Sequence, residues 1–276
     1  MKKVFSLIVI ALLAFALTAC GGAKNDTAGK DGNKKLVVGA SSVPHAEVLE
    51  AAKPLLKKKG IDLEVKVFQD YILPNVALRD KELDANYFQT PGYLELQMKE
   101  NKDFDFVSVG EIHKEPIGIY SKKYKSLKDL PKGAKIIMSD SLSDHGRILP
   151  IFEKEGLIKL KKGVGANARV EDIVENPKKL DFSTLIEAKL LASSFDSGEG
   201  DAVVINTNYA LEGGIDIGKY GIAFEGSDVV PANLVVVRSK DKDKETIKTL
   251  VEVLHSKEIQ DFILEKYKGA VVPVSK

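Results

Sequence analysis

The stretch that decides the fold runs from LVVGA at residues 36–40, through residues 44–59, to LEVKVF at residues 63–68. The first segment is an apolar run and the last alternates between apolar and charged side chains, so both predict β-strands. Between them, apolar residues recur every three or four positions from Ala46 to Leu56, which predicts an amphipathic helix. We expect Pro54 to kink or split that helix. The order strand, helix, strand predicts a parallel α/β unit.

The same alternation continues along the chain at intervals of about 20–30 residues, which is typical of α/β proteins. Further strands are predicted at 106–109, 117–120, 136–138, 180–185, 202–205 and 234–237. Further helices are predicted at 92–98, 146–155, 187–195 and 246–267. Because about 240 structured residues exceed what one core usually carries, the pattern predicts two α/β lobes with a ligand cleft between them.

Composition excludes several classes of protein. The 276 residues include 41 basic and 40 acidic side chains, and this balance provides no bulk attraction for nucleic acid. The hydrophobic share of 44% and the charged share of 29% are typical of a folded globular protein. A single cysteine rules out an internal disulfide and a cysteine-cluster zinc site.

That cysteine, Cys20, follows a segment with the features of a signal peptide. Lys2 and Lys3 precede an apolar run, Val4–Leu17, that is too short to span a bilayer. The run ends Leu-Thr-Ala-Cys, the pattern of bacterial lipoprotein processing, so we predict a signal peptide at 1–19 and lipidation of Cys20 with diacylglyceryl and acyl (palmitate) chains. An ordinary secretory signal with a chance cysteine is the alternative. Residues 20–34 are polar and predict a flexible tether.

Polar and aromatic side chains follow several predicted strands, where the ligands of α/β proteins bind. Arg147, near a helix start, has the guanidinium geometry to clamp a carboxylate, although it could instead pair with Asp144 three residues earlier. Nearby asparagine and aspartate side chains could hold an ammonium group, and Tyr87 and Phe88 could enclose an apolar side chain. These are the parts of an amino-acid site, but helix capping and core packing explain such residues equally well one by one.

The sequence contains no complete catalytic or cofactor-binding motif. The four histidines are scattered, and a metal site at His45 would need partners from elsewhere in the chain. The glycine-containing segment 163–168 imitates a dinucleotide fingerprint but follows a lysine-rich segment rather than a buried strand, so we interpret it as a loop. GxSxG and P-loop patterns are absent. We therefore expect no enzyme, no cofactor and no resident metal.

Several longer motifs occur in order along the chain. They are PHAEVLE at 44–50, LDANYFQ at 83–89, YSKK at 120–123, GLIKLK at 156–161, DIVENPK at 172–178, VIN at 204–206, NYA at 208–210 and ANL at 232–234. In these motifs the chain resembles the MetQ/NlpA family of lipoproteins, the methionine-binding components of ABC importers, across nearly its whole length. Cys20 agrees with that resemblance.

The resemblance implies a type II-like periplasmic-binding fold, with lobe one at 35–120 plus 233–276 and lobe two at 121–232. It implies a monomer, anchored by lipid on the extracytoplasmic face of a bacterial membrane, that delivers methionine to an ABC permease. The resemblance also implies ligand-binding residues, at the positions of this sequence that match those of the family. Arg147 would clamp the carboxylate, Asn206 and Asn233 would hold amine and carboxylate, and the cleft would be lined by Tyr87, Phe88 and His113.

The chain departs from the family pattern at three positions by the expected cleft. Thr90 replaces a histidine, Asp144 adds a charge before the Gly-Arg pair, and Pro231 stands where an aromatic residue is usual. Asp144 could strengthen ammonium binding or neutralise Arg147, and the sequence leaves both open. The ligand alternatives are another apolar amino acid, a methionine-containing dipeptide or a metal. The alternative function is a surface lipoprotein acting in adhesion or protein interaction.

Overall fold

The computed structural model of the chain describes residues 33–274. The predicted signal peptide, Cys20 and the tether up to residue 32 lie outside the described residues. Among the residues that are described, no helix combines the length and the apolar character that crossing a bilayer requires.

The described chain alternates strands and helices. The strands are β1 (Lys34–Ser41), β2 (Ile61–Phe68), β3 (Ala85–Gln89), β4 (Phe106–Lys114), β5 (Gly118–Tyr120), β6 (Lys135–Ser139), β7 (Lys159–Leu160), β8 (Ile173–Glu175), β9 (Asp181–Ile186), β10 (Ala202–Ile205), β11 (Gly221–Phe224), β12 (Ala232–Arg238) and β13 (Val272–Pro273). The helices are α1 (Glu47–Lys58), α2 (Leu73–Arg79), α3 (Pro91–Glu100), α4 (Leu142–Lys154), α5 (Leu191–Asp196), α6 (Thr207–Glu212), α7 (Ile217–Tyr220), α8 (Glu245–Leu254) and α9 (Lys257–Tyr267).

The larger lobe is built on a sheet of six strands in the order β13-β4-β12-β3-β1-β2. Strand β1 pairs in parallel with both β2 and β3, which confirms the predicted strand, helix, strand unit. Leu36 and Val38 on β1 share one buried core with Leu49 and Leu56 on α1. Buried apolar residues of α8 and α9 complete the same core, so the C-terminal helices belong to this lobe.

Helix α1 runs unbroken through Pro54, so the predicted split is wrong. Proline removes the hydrogen bond that the carbonyl of Glu50 would otherwise accept. Both Pro54 and Glu50 are exposed on the solvent side of the helix, where water can bond to that carbonyl. The buried side of the helix keeps its contacts with the sheet, and these contacts stabilise the helix across the proline.

The smaller lobe is built on a sheet of five strands in the order β11-β5-β10-β6-β9. Strand β6 is parallel to β9 and β10, but β5 is antiparallel to β10 and β11. In the larger lobe β12 is likewise antiparallel to β3 and β4. Both sheets are therefore mixed, and the predicted parallel units account for part of each sheet. Both β5 and β12 are the first strands after the chain changes lobe, so no crossover helix fixes their direction.

The chain passes between the lobes twice. The first crossing is residues 115–117, between β4 and β5, and the second is residues 225–231, between β11 and β12. The two crossings are bonded to each other: the main-chain N–H of Glu225 donates to the carbonyl of Ile117 at 2.9 Å, and the N–H of Ile117 donates to the Glu225 carboxylate at 3.2 Å. Side chains on these crossings therefore lie at the base of the cleft.

Candidate functional site

A cavity lies between the two lobes, and the interface between lobes is a usual place for a small-molecule site. Its lining combines aromatic rings, amides and charged groups from both lobes and from the first crossing. The lining residues are Tyr71, Phe88, Gln89, Thr90, Tyr93, Glu115, Ile117, Asp144, Arg147, Asn206, Thr207, Asn208 and Asn233.

Most residues predicted for the cleft from the sequence line this cavity. They are Phe88, Thr90, Asp144, Arg147, Asn206 and Asn233. Tyr87 and His113 are not among the lining residues; both are completely buried behind the cavity wall, in the larger lobe. Tyr87 and Phe88 are neighbours on β3, and successive side chains of a strand point to opposite faces. Only one of the two rings can therefore face the cleft, and it is Phe88.

Arg147, on α4, is paired with Glu225 of the second crossing. Its Nε and Nη2 donate to the Glu225 carboxylate, with 2.6 Å between Nη2 and Oε2. Nη2 also donates to the main-chain carbonyl of Glu115 at 2.9 Å. Burial alone would lower the pKa of Arg147, but Glu225, together with the charges of Asp144 and Glu115, raises it. The hydrogen bonds of Arg147 to described residues leave its Nη1 for a ligand.

Asp144, one turn before Arg147, is buried beside Asn206, whose amide Nδ2 lies 3.4 Å from a carboxylate oxygen of Asp144. Among the ion pairs of residues 33–274, none joins Asp144 to Arg147, so the proposed pairing three residues apart does not form. Glu225 takes that role instead. The carboxylate of Asp144 remains available at the cavity wall.

Glu115, on the first crossing, is held by two buried histidines. Its Oε1 lies 2.6 Å from Nε2 of His113 and 3.3 Å from Nε2 of His45. His45 Nε2 also faces the Asn233 oxygen at 3.1 Å, so both of its partners are acceptors and this nitrogen carries the proton. The hydroxyl of Tyr87 donates to Nδ1 of His113, which leaves its Nε2 as the donor toward Glu115.

The protonation states in this network follow from burial. Burial lowers the pKa of His45 to about 4 and that of His113 to about 3, so both rings are neutral near pH 7. Burial raises the pKa of Glu115, while His45, Arg147 and a main-chain hydrogen bond from Asn208 oppose that rise. With two neutral rings as donors, the carboxylate of Glu115 is the acceptor at the centre of the network.

His45, His113 and Glu115 also form a potential metal-ligand set, because one ligand atom from each lies within 4.8 Å of the others. Two imidazoles and a carboxylate suit a transition metal such as zinc. In this structure the Nε2 atoms and the carboxylate oxygen are hydrogen-bonded to one another. The buried network is therefore satisfied by its own hydrogen bonds, except for Nδ1 of His45, which has no partner among the described residues.

Aromatic rings form the apolar wall of the cavity. Tyr71 lies 5.9 Å from Phe88 and 5.8 Å from Tyr93, measured between ring centroids. The Tyr71 hydroxyl reaches across to the smaller lobe and donates to Oδ1 of Asn208 at 2.6 Å. The other end of that amide, Nδ2 of Asn208, is buried and has no hydrogen-bond partner among the described residues. An acceptor on a bound ligand would satisfy it.

Two of the departures from the family pattern border a second cavity. This space lies next to the first, and Thr90 and Arg147 line both. Pro231 lines only the second cavity, together with Lys99 and Arg169. The small side chain of Thr90 therefore stands where the two spaces meet.

Several lining residues were not predicted from the sequence. Tyr71 and Tyr93 lie on a loop and on α3, where no motif marked them. Glu115 follows β4, which was predicted to end at Val109 but continues to Lys114. A longer strand prediction would have placed Glu115 at its end. Glu225 lies on the second crossing, outside the cavity lining, and its hydrogen bonds with Arg147 and Ile117 connect it to the site.

A cavity between two α/β lobes, with the chain crossing twice, defines a solute-binding protein of the periplasmic-binding type. The chain matches the family model described as NlpA lipoprotein over residues 36–275. It is 48% identical to the methionine-binding lipoprotein MetQ of Bacillus subtilis (strain 168), over 100% of both chains. The chain belongs to the NlpA lipoprotein family.

Solved structures agree with this assignment. A nutrient binding protein from Burkholderia cenocepacia bound to methionine is 42% identical, with a TM-score of 0.82, covering 86% of this chain and 99% of that one. A periplasmic substrate-binding protein of an ABC transporter from Coxiella burnetii is 35% identical, with a TM-score of 0.81, covering 87% of this chain and 100% of that one.

Proposed function

We propose that this chain is the receptor of an ABC importer and that it binds methionine in the cavity between its lobes. The observation that carries the proposal is the cavity between the lobes. It offers the guanidinium of Arg147 and Nδ2 of Asn208, which has no hydrogen-bond partner among the described residues, to a carboxylate. The rings of Tyr71 and Phe88 are available to an apolar side chain. The methionine-binding relatives support the same ligand.

Closure of the lobes over the ligand is part of this proposal. A ligand that contacts both lobes stabilises the closed state by its differential affinity for that state.

We place the division between the lobes at 115–117 and 225–231. That division assigns β5 to the smaller lobe, because it pairs with β10 and β11, and β12 to the larger lobe, because it pairs with β3 and β4. The protein acts by binding and delivery rather than by catalysis.

Native mass spectrometry of protein purified from untreated cells tests the ligand. We expect a mass increment of one methionine, which disappears in Arg147→Ala and persists in the control Arg79→Ala, whose ion pairs with Asp80 and Asp103 lie on the surface. An unliganded mass, together with no thermal shift on adding any amino acid or short peptide, would contradict the proposal and favour an adhesive role.

The anchor is proposed separately, because Cys20 lies outside the described residues. We propose that Cys20 is lipidated and that the protein acts as a monomer on the extracytoplasmic face of the membrane. The lipoprotein family of the chain supports the anchor. Cys20→Ser is expected to move the protein from the membrane fraction to the medium or periplasm. An unchanged distribution between the fractions would contradict lipid anchoring.

A metal is the second candidate ligand, and the cluster of His45, His113 and Glu115 favours it. The hydrogen bonds within that cluster already use the three ligand atoms, so we expect chelation by EDTA to leave the melting temperature unchanged. A fall in melting temperature with EDTA, restored by adding zinc, would support a metal receptor instead.

A further inference from the structure

Three buried side-chain amides lie between β3 and α2 in the larger lobe, next to the wall of the ligand cavity. Asn75 belongs to α2, and Asn86 and Gln89 belong to β3. All three side chains are buried. Gln89 lines the cavity, whereas Asn75 and Asn86 are not among the lining residues. We call these three residues the amide cluster.

The hydrogen bonds of the amide cluster are complete. Nε2 of Gln89 donates to Oδ1 of Asn75 and to Oδ1 of Asn86, each at 2.9 Å, and its Oε1 accepts from Nδ2 of Asn75 at 3.1 Å. Nδ2 of Asn86 donates to Oδ1 of Asn75 at 2.9 Å and to the main-chain carbonyl of Pro74 at 3.2 Å. Turning the amide of Gln89 over would set its oxygen against two oxygens, so the cluster has one arrangement. Because both hydrogens of its Nε2 are used, Gln89 offers no N–H to a ligand.

The amide cluster fastens a bulge in β3. Residues three positions apart on a regular strand point to opposite faces, yet Asn86 and Gln89 bond to the same side chain of Asn75. The register of β12 against β3 shifts here, and the shift leaves Phe88 as the extra residue of a β-bulge. Bulges redirect the side chains beside them. The two β3 members of the cluster therefore hold the segment that carries Phe88 on both sides.

The same cluster connects β3 to the loop that carries Tyr71. Pro74 and Asn75, which bond to β3, follow Tyr71 closely at the start of α2. The main-chain carbonyl of Tyr71 accepts a hydrogen bond from the hydroxyl of Tyr93 at 3.0 Å. The rings of Tyr71, Phe88 and Tyr93 lie 5.8, 5.9 and 6.0 Å apart between centroids, taken in pairs. Two rings of the apolar cavity wall are thus joined through one set of amides.

We propose that the amide cluster is the positioning element of the apolar wall and that it sets the length of ligand side chain that the cavity selects. Asn75 and Asn86 act through Phe88 and Tyr71, without a contact of their own with the ligand. Apolar side chains of the same shape can replace paired amides at little cost in stability, whereas hydrogen-bonded amides fix one arrangement. The positioning role rests on the proposed function as a methionine receptor.

Calorimetry with two amino acids tests this role on the full-length protein in detergent, freed of bound ligand by dialysis. L-methionine and L-2-aminobutyrate share their head group, but the side chain of aminobutyrate is shorter and lacks the thioether. We expect wild-type protein to prefer methionine. Asn75→Leu removes hydrogen bonds to Gln89 and Asn86 from a position outside the cavity lining. It should reduce the preference for methionine by about 10-fold, through weaker binding of methionine.

Asn176→Leu is the matched control, because it makes the same chemical change in the smaller lobe. The side chain of Asn176 bonds to the main chain of Leu180 and does not line the cavity. We expect this variant to lower the free energy of unfolding without changing the preference between the two amino acids. The comparison separates a loss of stability from a change in selectivity.

The possible results distinguish the positioning role from the function on which it rests. Wild-type protein that does not bind methionine contradicts the receptor function itself. Wild-type protein that binds methionine, together with an Asn75→Leu variant that keeps the preference or weakens both amino acids by the same factor, overturns the positioning role alone. If Asn75→Leu does not fold, Asn86→Ala takes its place with the same loss of preference expected, because Asn86 also lies outside the cavity lining.

Discussion

Arg147 donates three hydrogen bonds to the carboxylate of Glu225 and one to the main-chain carbonyl of Glu115, so one guanidinium from α4 holds both interlobe crossings. Glu225 is only 6% exposed, and its main-chain N–H also bonds to Ile117 on the other crossing. The residue predicted from the sequence as a ligand clamp is therefore also the link between the two crossings. Its substitution should alter both binding and folding.

Arg147→Ala is expected to weaken methionine binding by about 2–5 kcal/mol, because the ligand carboxylate and Glu225 both lose their cation. The free energy of unfolding should fall by about 3–5 kcal/mol, since Glu225 becomes an unpaired buried charge. Calorimetry measures the first effect and urea denaturation the second. The control Arg79→Ala removes an arginine from surface ion pairs and should change neither quantity measurably. Near wild-type affinity in Arg147→Ala would remove this residue from the binding site.

Tyr71→Phe tests the contact between the lobes. The substitution keeps the ring that packs on Phe88 but removes the hydrogen bond to Asn208 on the smaller lobe. We expect a loss of about 0.5–1.5 kcal/mol in ligand affinity, mainly as faster dissociation, because the closed state loses one interlobe bond. Stopped-flow fluorescence measures the dissociation rate. Tyr124→Phe, in the smaller lobe, is the matched control, and an equal effect in both variants would argue against a role in closure.

Gly146 and Gly92 form a matched pair of helical glycines. A Cβ at Gly146 would lie 1.9 Å from the main-chain oxygen of Ala166, which is a backbone atom and cannot rotate away. A Cβ at Gly92 would meet nothing within 4 Å. Gly146→Ala should therefore destabilise the fold by about 1–3 kcal/mol and displace the adjacent Arg147, whereas Gly92→Ala should stabilise it by up to about 1 kcal/mol. Urea denaturation of both variants shows which has the lower free energy of unfolding. Equal values would contradict the packing of α4 on residues 165–167.

Stability should fall as the pH drops from 7 to 5. The folded-state pKa values of His45 and His113, about 4 and about 3, lie below the ordinary value of 6.5, so the unfolded chain binds more protons in this window. Each histidine contributes a slope approaching about 1.4 kcal/mol per pH unit once its unfolded form is protonated. The pKa of Glu115 is raised, so its contribution to the pH dependence of stability has the opposite sign. The two histidines together outweigh this single group.

Denaturation at a series of pH values measures that slope. His113→Gln should reduce it, and the same change at His255, a half-buried histidine outside the network, is the control. A flat profile between pH 7 and 5 in the wild-type protein would contradict the neutral, buried state of the two rings. Acidic groups with a lowered pKa, such as Asp241, titrate below pH 5 and therefore do not contribute to the slope between pH 7 and 5.

The sequence was sufficient for the features that depend on local pattern. The apolar run at 36–40 and the alternation at 63–68 depend only on which side chains a strand must bury, and both strands form in the predicted parallel arrangement. The family motifs were similarly sufficient to locate Arg147, Asn206 and Asn233 at one cavity. The continuation of α1 through Pro54 could not be predicted in this way, because it depends on which side of the helix faces the solvent.

The site itself was decided in part by tertiary structure. Composition and spacing determined the α/β fold class and the two lobes, because hydrophobic periodicity is a property of the linear chain. The resemblance to the family then located Arg147 at the cleft. Tertiary structure decided that Glu225, 78 residues away, pairs with Arg147, and that two histidines turn Glu115 into an oriented acceptor. These contacts join residues far apart in sequence, and burial sets their charge states. A linear pattern contains neither the distances nor the burial.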